Sequence, residues 1–180
     1  VTGRFICVVG PSGVGKDSVM HAMAAAEPRL VPVRRVITRP SDAGGEDFDG
    51  VTETQFSAME AAGKFALSWP AHGLRYGIPL GVGGVLASGH DVLANLSRAQ
   101  LITARGRFAH TEFIALTASR DVLEKRLLVR GRETVEQVAG RLDRASFALP
   151  DGIHAHEIDN SGTLDVTVNA VLDLLYPDRS

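Results

Sequence analysis

Apolar residues fall in two spacings along this chain. The run Phe5-Ile6-Cys7-Val8-Val9 is apolar without interruption, as a central parallel strand covered on both faces must be. Similar runs over 91–96 and 113–118 predict two more buried strands. Shorter candidates lie at 33–38 and 65–69, and a short strand ends in the turn of 158–162. Between these runs the spacing becomes helical. Val19, Met20, Met23 and Ala24 share one side of 17–27, with Pro28 past its end. Leu164, Val168, Val171, Leu172 and Leu175 do the same in the last helix. Thr52 to Gln55 and Thr134 to Gln137 have capping-box form, and Ser119 is a helix cap before Val122, Leu123, Leu127 and Leu128. A short helix is expected over 98–106. The stretch 71–77 reads as turn or loop, and Pro79 as the start of a helix weakened by Gly81, Gly83 and Gly84. The Arg34-Arg35 pair is unusual for a core strand and sets 33–38 at a sheet edge or at a strand end facing a site. Strands alternating with helices predict a three-layer α/β domain with a mainly parallel central sheet, whose ligands collect at the carboxyl ends of the strands.

Between the first strand and the first helix stands Gly10-Pro11-Ser12-Gly13-Val14-Gly15-Lys16-Asp17-Ser18. Strand, glycine loop and helix in that order form a phosphate-binding loop. Glycines let successive N–H groups turn inward, and the helix start favours an anion. Lys16 would reach the terminal phosphates of a nucleotide. After Gly-Lys the motif asks for a hydroxyl to bind magnesium, and here Asp17 holds that place, followed by Ser18. A carboxylate is a hard ligand suited to Mg2+, directly or through water. The other reading of Asp17 is a helix-start residue that competes with the nucleotide.

Composition narrows the class. The chain has 180 residues, 44% hydrophobic and 22% charged, with net charge −2, as expected for one ordinary globular domain. Nothing global points to nucleic acid or to a membrane surface as partner, and no spanning segment or signal peptide is visible. The single Cys7 sits in the first strand as a small hydrophobe, so a reducing cytoplasm is expected. The oligomeric state stays open, a homodimer included.

Arginines supply the local chemistry. Arg126, Arg130, Arg132, Arg141 and Arg144 crowd the region after Ser119, and Gly131 marks a bend between two helices. A hinged lid bearing such cations would exclude water and stabilise a migrating phosphoryl group. For any one of these arginines a solvated helix face is the other reading. Arg39, next to Thr38 after a strand, is the foremost candidate to grip a phosphate acceptor, ahead of Arg35, Arg75 and Arg98. His72 reads as a turn residue, and Trp69 and Tyr76 as core or pocket wall. A phosphate acceptor needs no general base, because its attacking oxygen is already anionic.

With those residues in view, the chain resembles the guanylate kinase branch of the P-loop nucleotide kinases. The likeness rests on Gly10 to Lys16, Thr38-Arg39-Pro40, Val51 to Phe56, Gly63 to Trp69, His72-Gly73, Tyr76-Gly77 and the arginine-rich lid. It implies a P-loop nucleoside-kinase-like fold with a small acceptor-binding insertion, 39–90, and a lid, 126–144. The departures are informative. Ser68 stands where guanylate kinases carry a guanine-reading glutamate, Asp42-Ala43-Gly44-Gly45 lacks the second acceptor arginine, Ile78 replaces a polar residue, and Asn95-Leu96-Ser97 replaces Asp-Ile-Asp. A serine cannot accept two hydrogen bonds as a carboxylate does. Taken with Gly-Lys-Asp-Ser and Ala71-His72-Gly73-Leu74-Arg75-Tyr76-Gly77, this pattern resembles the ribose 1,5-bisphosphate phosphokinases of phosphonate breakdown. These move the terminal phosphate of ATP onto the 1-phosphate of ribose 1,5-bisphosphate and yield 5-phosphoribosyl 1-diphosphate. The resemblance implies Arg39 on the 1-phosphate, Arg75 and Arg98 on the 5-phosphate, and Ser68, His72, Tyr76 and Asn95 around the sugar. It also implies Lys16, Arg126, Arg130 and Arg132 on the migrating charge and Asn160 facing the adenine. Another nucleoside monophosphate kinase, or a non-catalytic guanylate-kinase-like binding module, are the alternatives. The intact Gly15-Lys16 speaks against the binding module.

Overall fold

The computed structural model describes every residue except 1, 12, 44, 45, 145–147 and 180, and the backbone alone at 143 and 144. Ser12 of the glycine loop, Gly44-Gly45 and the Arg144 side chain therefore lie outside the described residues. In chain order the elements are β1 (Phe5–Val9), α1 (Lys16–Ala26), β2 (Leu30–Pro32), β3 (Arg35–Ile37), β4 (Phe48–Gly50), α2 (Glu53–Ala61), β5 (Phe65–Ala71), β6 (Leu74–Pro79), α3 (Val82–Ala87), β7 (Asp91–Asn95), α4 (Leu101–Arg107), β8 (Thr111–Thr117), α5 (Arg120–Val129), α6 (Val135–Arg144), β9 (His156–Asp159) and α7 (Leu164–Leu175). A single 3-10 turn, Arg98–Gln100, precedes α4.

A five-stranded sheet in the order β2-β7-β1-β8-β9 forms the centre, and every pairing in it is parallel. The three uninterrupted apolar runs are its three inner strands. Each feeds two cores, because successive side chains leave a strand on opposite faces. Phe5, Cys7, Val9, Val92, Ala94, Phe113 and Ala115 join one cluster with α3, α4 and the second sheet. Ile6, Val8, Leu93, Ile114 and Leu116 join the other with α1 and α7, through Val19, Met23, Val168, Val171 and Leu172. β1 has β7 on one side and β8 on the other, so the connections diverge from its carboxyl end and a crevice opens there.

The second sheet, β4-β3-β6-β5, has four strands, and here the structure departs from the sequence pattern. The expected strand 33–38 narrows to 35–37, which pairs with β4 and β6 in the second sheet, while an unexpected strand, 30–32, pairs with β7 in the main sheet. The three-residue β2 and β4 are too short to show a period. The expected loop over 71–77 is a tight hairpin. His72 and Gly73, at φ 53° and 73°, make the two-residue turn, and Ala71 pairs with Leu74. Both turn residues with positive φ match the twist of the flanking strands. Pro79 ends β6 rather than opening a helix, and α3 begins at Val82. Phe65 lies so close to Gly77 that a Cβ there would meet its ring at 2.5 Å. Among the described residues no helix is long and apolar enough to cross a membrane.

Asp91, buried at the start of β7, ties the chain ends to the sheet. It accepts from the Arg4 backbone N–H at 2.6 Å, from Arg4 Nη2 at 2.9 Å and from the Tyr176 hydroxyl at 2.5 Å. Burial by itself would raise its carboxyl pKa, but the hydrogen bonds of Arg4 and Tyr176 outweigh burial and hold it below the ordinary value. The folded state therefore binds fewer protons here than the unfolded state. Its stabilisation is present above the unfolded carboxyl value, near 3.9, and is lost as pH falls through the lower folded value. We expect Asp91→Asn to cost about 2 kcal/mol at neutral pH. We also expect its melting temperature to fall less steeply than the unmutated protein's between pH 5 and pH 3. Melting curves across that range check both.

Candidate active site

The glycine loop crosses the carboxyl end of β1 and enters α1. Gly13 and Gly15 have φ of 83° and 93°, a region where a Cβ is strained. At Gly15 a Cβ would also meet the Asn160 amide nitrogen at 2.9 Å. No side chain caps α1, so its first-turn N–H groups are available to an anion. Lys16 opens the helix, and its Nζ folds back to the Gly10 carbonyl at 2.9 Å, spanning the loop. Burial, first of all, holds its ammonium pKa below the ordinary value. Asp17 opposes this, Arg35 and Arg130 add to the lowering, and Glu46 opposes it again. Asp17 itself is exposed in the first turn of α1, with Ser18 exposed beside it.

Two residues expected to touch nucleotide instead hold the loop's backbone. Asn160, 5% exposed after β9, donates from its amide nitrogen to the Val14 carbonyl at 2.7 Å and accepts from the Thr167 hydroxyl at 2.6 Å. One amide N–H and the amide oxygen are thereby engaged within the protein. Arg126, on α5, donates to the Val14 carbonyl at 3.0 Å and to the Asn160 carbonyl at 2.6 Å. It is tucked beneath the loop rather than carried on a lid. Arg130 and Arg132 are exposed at the bend between α5 and α6, where Gly131 has φ 70°.

Beside the loop opens a cleft of about 680 Å³. Gly10, Pro11 and Lys16 line one end; Trp69, His72 and Tyr76 of the hairpin line another wall. Asn95, Ser97, Arg98 and Gln100 follow β7, and Arg141 of α6 covers it. Trp69 and Tyr76, paired across β5 and β6, stack at 5.6 Å, and the Trp69 indole N–H donates to Ser97 at 3.0 Å. Arg35 also lines the cleft, 7% exposed and paired with Glu46. Arg98 donates to the Ala148 carbonyl at 3.2 Å and Arg105 to the Gly152 carbonyl at 2.6 Å, fastening the segment after α6 beside α4.

Of the expected acceptor residues, His72, Tyr76, Asn95 and Arg98 come together on this cleft, and Ser68, Arg75 and Arg39 do not line it. The reason for the first two is strand alternation. Trp69 and Tyr76 face the cleft, so their neighbours Ser68 and Arg75 face away, toward α2. There Ser68 donates to Glu60 at 2.6 Å, while Arg75 reaches Ser57 at 2.8 Å and Glu60 at 2.7 Å over the ring of Phe56. Arg39 lies over Phe48, 4.4 Å from its ring centre. On sequence Arg35 ranks behind Arg39, and Glu46 is only a loop residue. The Arg34-Arg35 anomaly was the one signal that could have promoted Arg35, because an arginine in a buried strand needs a buried partner. Among the described residues no three His, Cys, Asp or Glu side chains gather to hold a metal ion.

No family model matches the chain. Among curated proteins it is 49% identical over 179 residues to the ribose 1,5-bisphosphate phosphokinase PhnN of Ruegeria sp. (strain TM1040), covering 99% of this chain and 94% of that one. It is 47% identical over 185 residues to the protein of the same name from Pseudomonas paraeruginosa (strain DSM 24068 / PA7), covering 100% and 99%. It is 40% identical to a bifunctional ribose 1,5-bisphosphokinase-thymidine phosphorylase of Cupriavidus pinatubonensis, over 97% of this chain and 29% of that one. In fold it is similar to a crystal structure of guanylate kinase from Anaplasma phagocytophilum, with TM-score 0.72, 16% identity, and coverage of 98% and 86%.

The Asn160 contacts make a prediction. Asn160→Asp keeps the shape but sets an acceptor against the Val14 carbonyl. We expect a loss of about 2 kcal/mol and a rise in the KM for ATP of about tenfold, from a disordered anion cradle. A changed preference between ATP and GTP with an unchanged melting temperature would instead mean that Asn160 reads the base.

Proposed function

The chain belongs to the ribose 1,5-bisphosphate phosphokinases, and we infer that it transfers the terminal phosphate of ATP to the 1-phosphate of ribose 1,5-bisphosphate, giving 5-phosphoribosyl 1-diphosphate and ADP. One observation carries this reading: among the described residues, the cleft beside Lys16 is lined by Arg35, Arg98 and Arg141 and by no carboxylate. Two phosphates on one small sugar carry about −1.5 to −2 each at neutral pH. Such a ligand suits a cleft with four cations. Guanine suits it less well, because among the described lining residues there is no carboxylate to accept from its N1–H and 2-amino groups together.

In this reading the ATP phosphates lie in the loop against the first turn of α1, with Lys16 leaving the Gly10 carbonyl to meet them. The acceptor's 1-phosphate oxygen attacks in line, and it is anionic, so no side chain need take a proton. Lys16 and Arg130 supply net positive charge around the migrating group, and Arg126 with Asn160 keep the loop in shape. Of the lid expected over 126–144, the part beyond Arg126, with Arg130, Arg132 and Arg141, acts as the lid, and the second sheet and α3 serve as the acceptor-binding part proposed for 39–90. Arg141 excludes water from one side. Mg2+ fits as a partner of the ATP phosphates: with no cage of three ligands among the described residues, Asp17 would hold it from the first turn of α1. When bound, it would supply positive charge to offset that of the ATP phosphates. The reading places the enzyme in the cytoplasm, acting on a small molecule.

ADP release with ATP and Mg2+ should be at least about 100-fold faster with ribose 1,5-bisphosphate than with GMP at equal concentration. Comparable turnover with GMP would overturn the acceptor assignment. Lys16→Met should lower kcat by about three orders of magnitude while the fold melts as before. Excess EDTA should abolish turnover, and Asp17→Asn should raise the Mg2+ concentration needed for half-maximal rate several-fold.

A further inference from the structure

One cation of the cleft is held differently from the others. Arg35 is buried, and its side chain meets three separate parts of the chain. Nε donates to Glu46 Oε2 at 2.8 Å, and Nη2 donates to the other carboxylate oxygen. Nη1 donates to the Asn95 carbonyl at 3.1 Å. The guanidinium also lies 4.8 Å from the centre of the Tyr76 ring. The fork is thus fixed in plane and position by the loop before β4, the end of β7 and the wall of β6. A guanidinium has five N–H donors. Among the described residues Glu46 and Asn95 take three, which leaves two for a ligand.

The charge balance says which kind of ligand. Glu46 neutralises Arg35, and the two act on Lys16 in opposite senses. The pair offers directed hydrogen bonds without net charge. A migrating phosphoryl group needs net positive charge at the transfer centre. A phosphate whose charge is the same before and after the reaction needs recognition only, and a pre-oriented fork supplies it. Arg75 is turned toward α2, and Arg98, on the cleft but only half-buried, spends Nη1 on the Ala148 carbonyl; the far phosphate of the acceptor has Arg35 as its buried, pre-positioned partner.

Resting on the acceptor reading given above, we propose that Arg35, oriented by Glu46, binds the phosphate of the acceptor that is not attacked. It thereby sets the preference for a sugar bisphosphate over a sugar monophosphate. Arg35 is the specificity-determining residue, and Glu46 is a positioning residue.

The test compares ribose 1,5-bisphosphate with ribose 1-phosphate as acceptors, each at saturating ATP and Mg2+, in the full chain. The unmutated enzyme should favour the bisphosphate in kcat/KM by at least 100-fold. Arg35→Gln should lower that ratio by on the order of 100-fold, through the KM for the bisphosphate. Arg35→Lys keeps the buried charge without the fork; it should lower the ratio by about tenfold, and it stands in should Arg35→Gln not fold. Glu46→Gln should lower the ratio about tenfold with kcat kept, and Glu46→Asp should recover part of it. The KM for ATP, measured alongside, should stay within a few-fold in each variant. If an Arg35 variant loses both acceptors in equal proportion, Arg35 serves the attacked phosphate or the fold, and the proposal is overturned. If the unmutated enzyme uses neither sugar, the acceptor reading falls and this inference with it; if it uses both alike, the acceptor reading stands and this inference alone is overturned.

Discussion

The nucleotide end of this molecule depends on one carbonyl. Val14 lies in the glycine loop, where the backbone must turn its N–H groups toward a ligand and so leaves carbonyls pointing the other way. Asn160 and Arg126 both donate to that carbonyl, at 2.7 and 3.0 Å. They come from opposite directions, one from the end of β9 and one from α5. Their geometry explains why Gly15 has no room for a side chain and why Asn160 is buried against Thr167. Polar atoms buried in that layer would be costly if unpaired, so the loop's shape is enforced by hydrogen-bond demand as much as by its glycines.

A second constraint governs the acceptor end. The hairpin of β5 and β6 has one face toward the cleft and one toward α2, and the alternation of side chains allots each residue to one of them. Trp69 and Tyr76 take the cleft face together because they are register partners, and their stack makes the wall. Ser68 and Arg75 are then committed to Glu60 on the other face. A shift of one residue in register would exchange the two sets and empty the wall.

The cations around the cleft differ in what accompanies them. Lys16 is partly buried, with the carbonyl of Gly10 as its hydrogen-bond acceptor, and its ammonium pKa is lowered by burial. Arg35 is buried with a carboxylate in its fork. Arg141 pairs with Glu133 at 2.9 Å beside the bend of the lid region. A cation whose charge is cancelled by a neighbour can orient a ligand, whereas one whose charge is uncancelled can stabilise a change of charge. Arginines counted along the sequence are equal in charge; their partners in space make them unequal in use.

The sequence by itself determined the parallel sheet, the phosphate loop and the family. Those features are local or periodic: an apolar run must be buried on both faces, a glycine loop between strand and helix curls around an anion, and capping boxes start helices where they stand. It also carried the resemblance, through the Ala71-His72-Gly73-Leu74-Arg75-Tyr76-Gly77 stretch. Only the tertiary structure decided which polar residues reach the cleft. Arg35 rather than Arg75 lines it, Arg39 lies over Phe48, and Asn160 and Arg126 serve the loop's backbone. The three-residue strands β2 and β4 and the hairpin at His72-Gly73 were equally hidden. The two short strands pair with distant partners, Leu30 with Asp91 and Phe48 with Arg35, and Arg35 finds Glu46 and Asn95, 11 and 60 residues away. A side chain's partner across the fold leaves no period in the sequence, and hydrogen-bond and charge satisfaction are settled between such partners once the chain has closed.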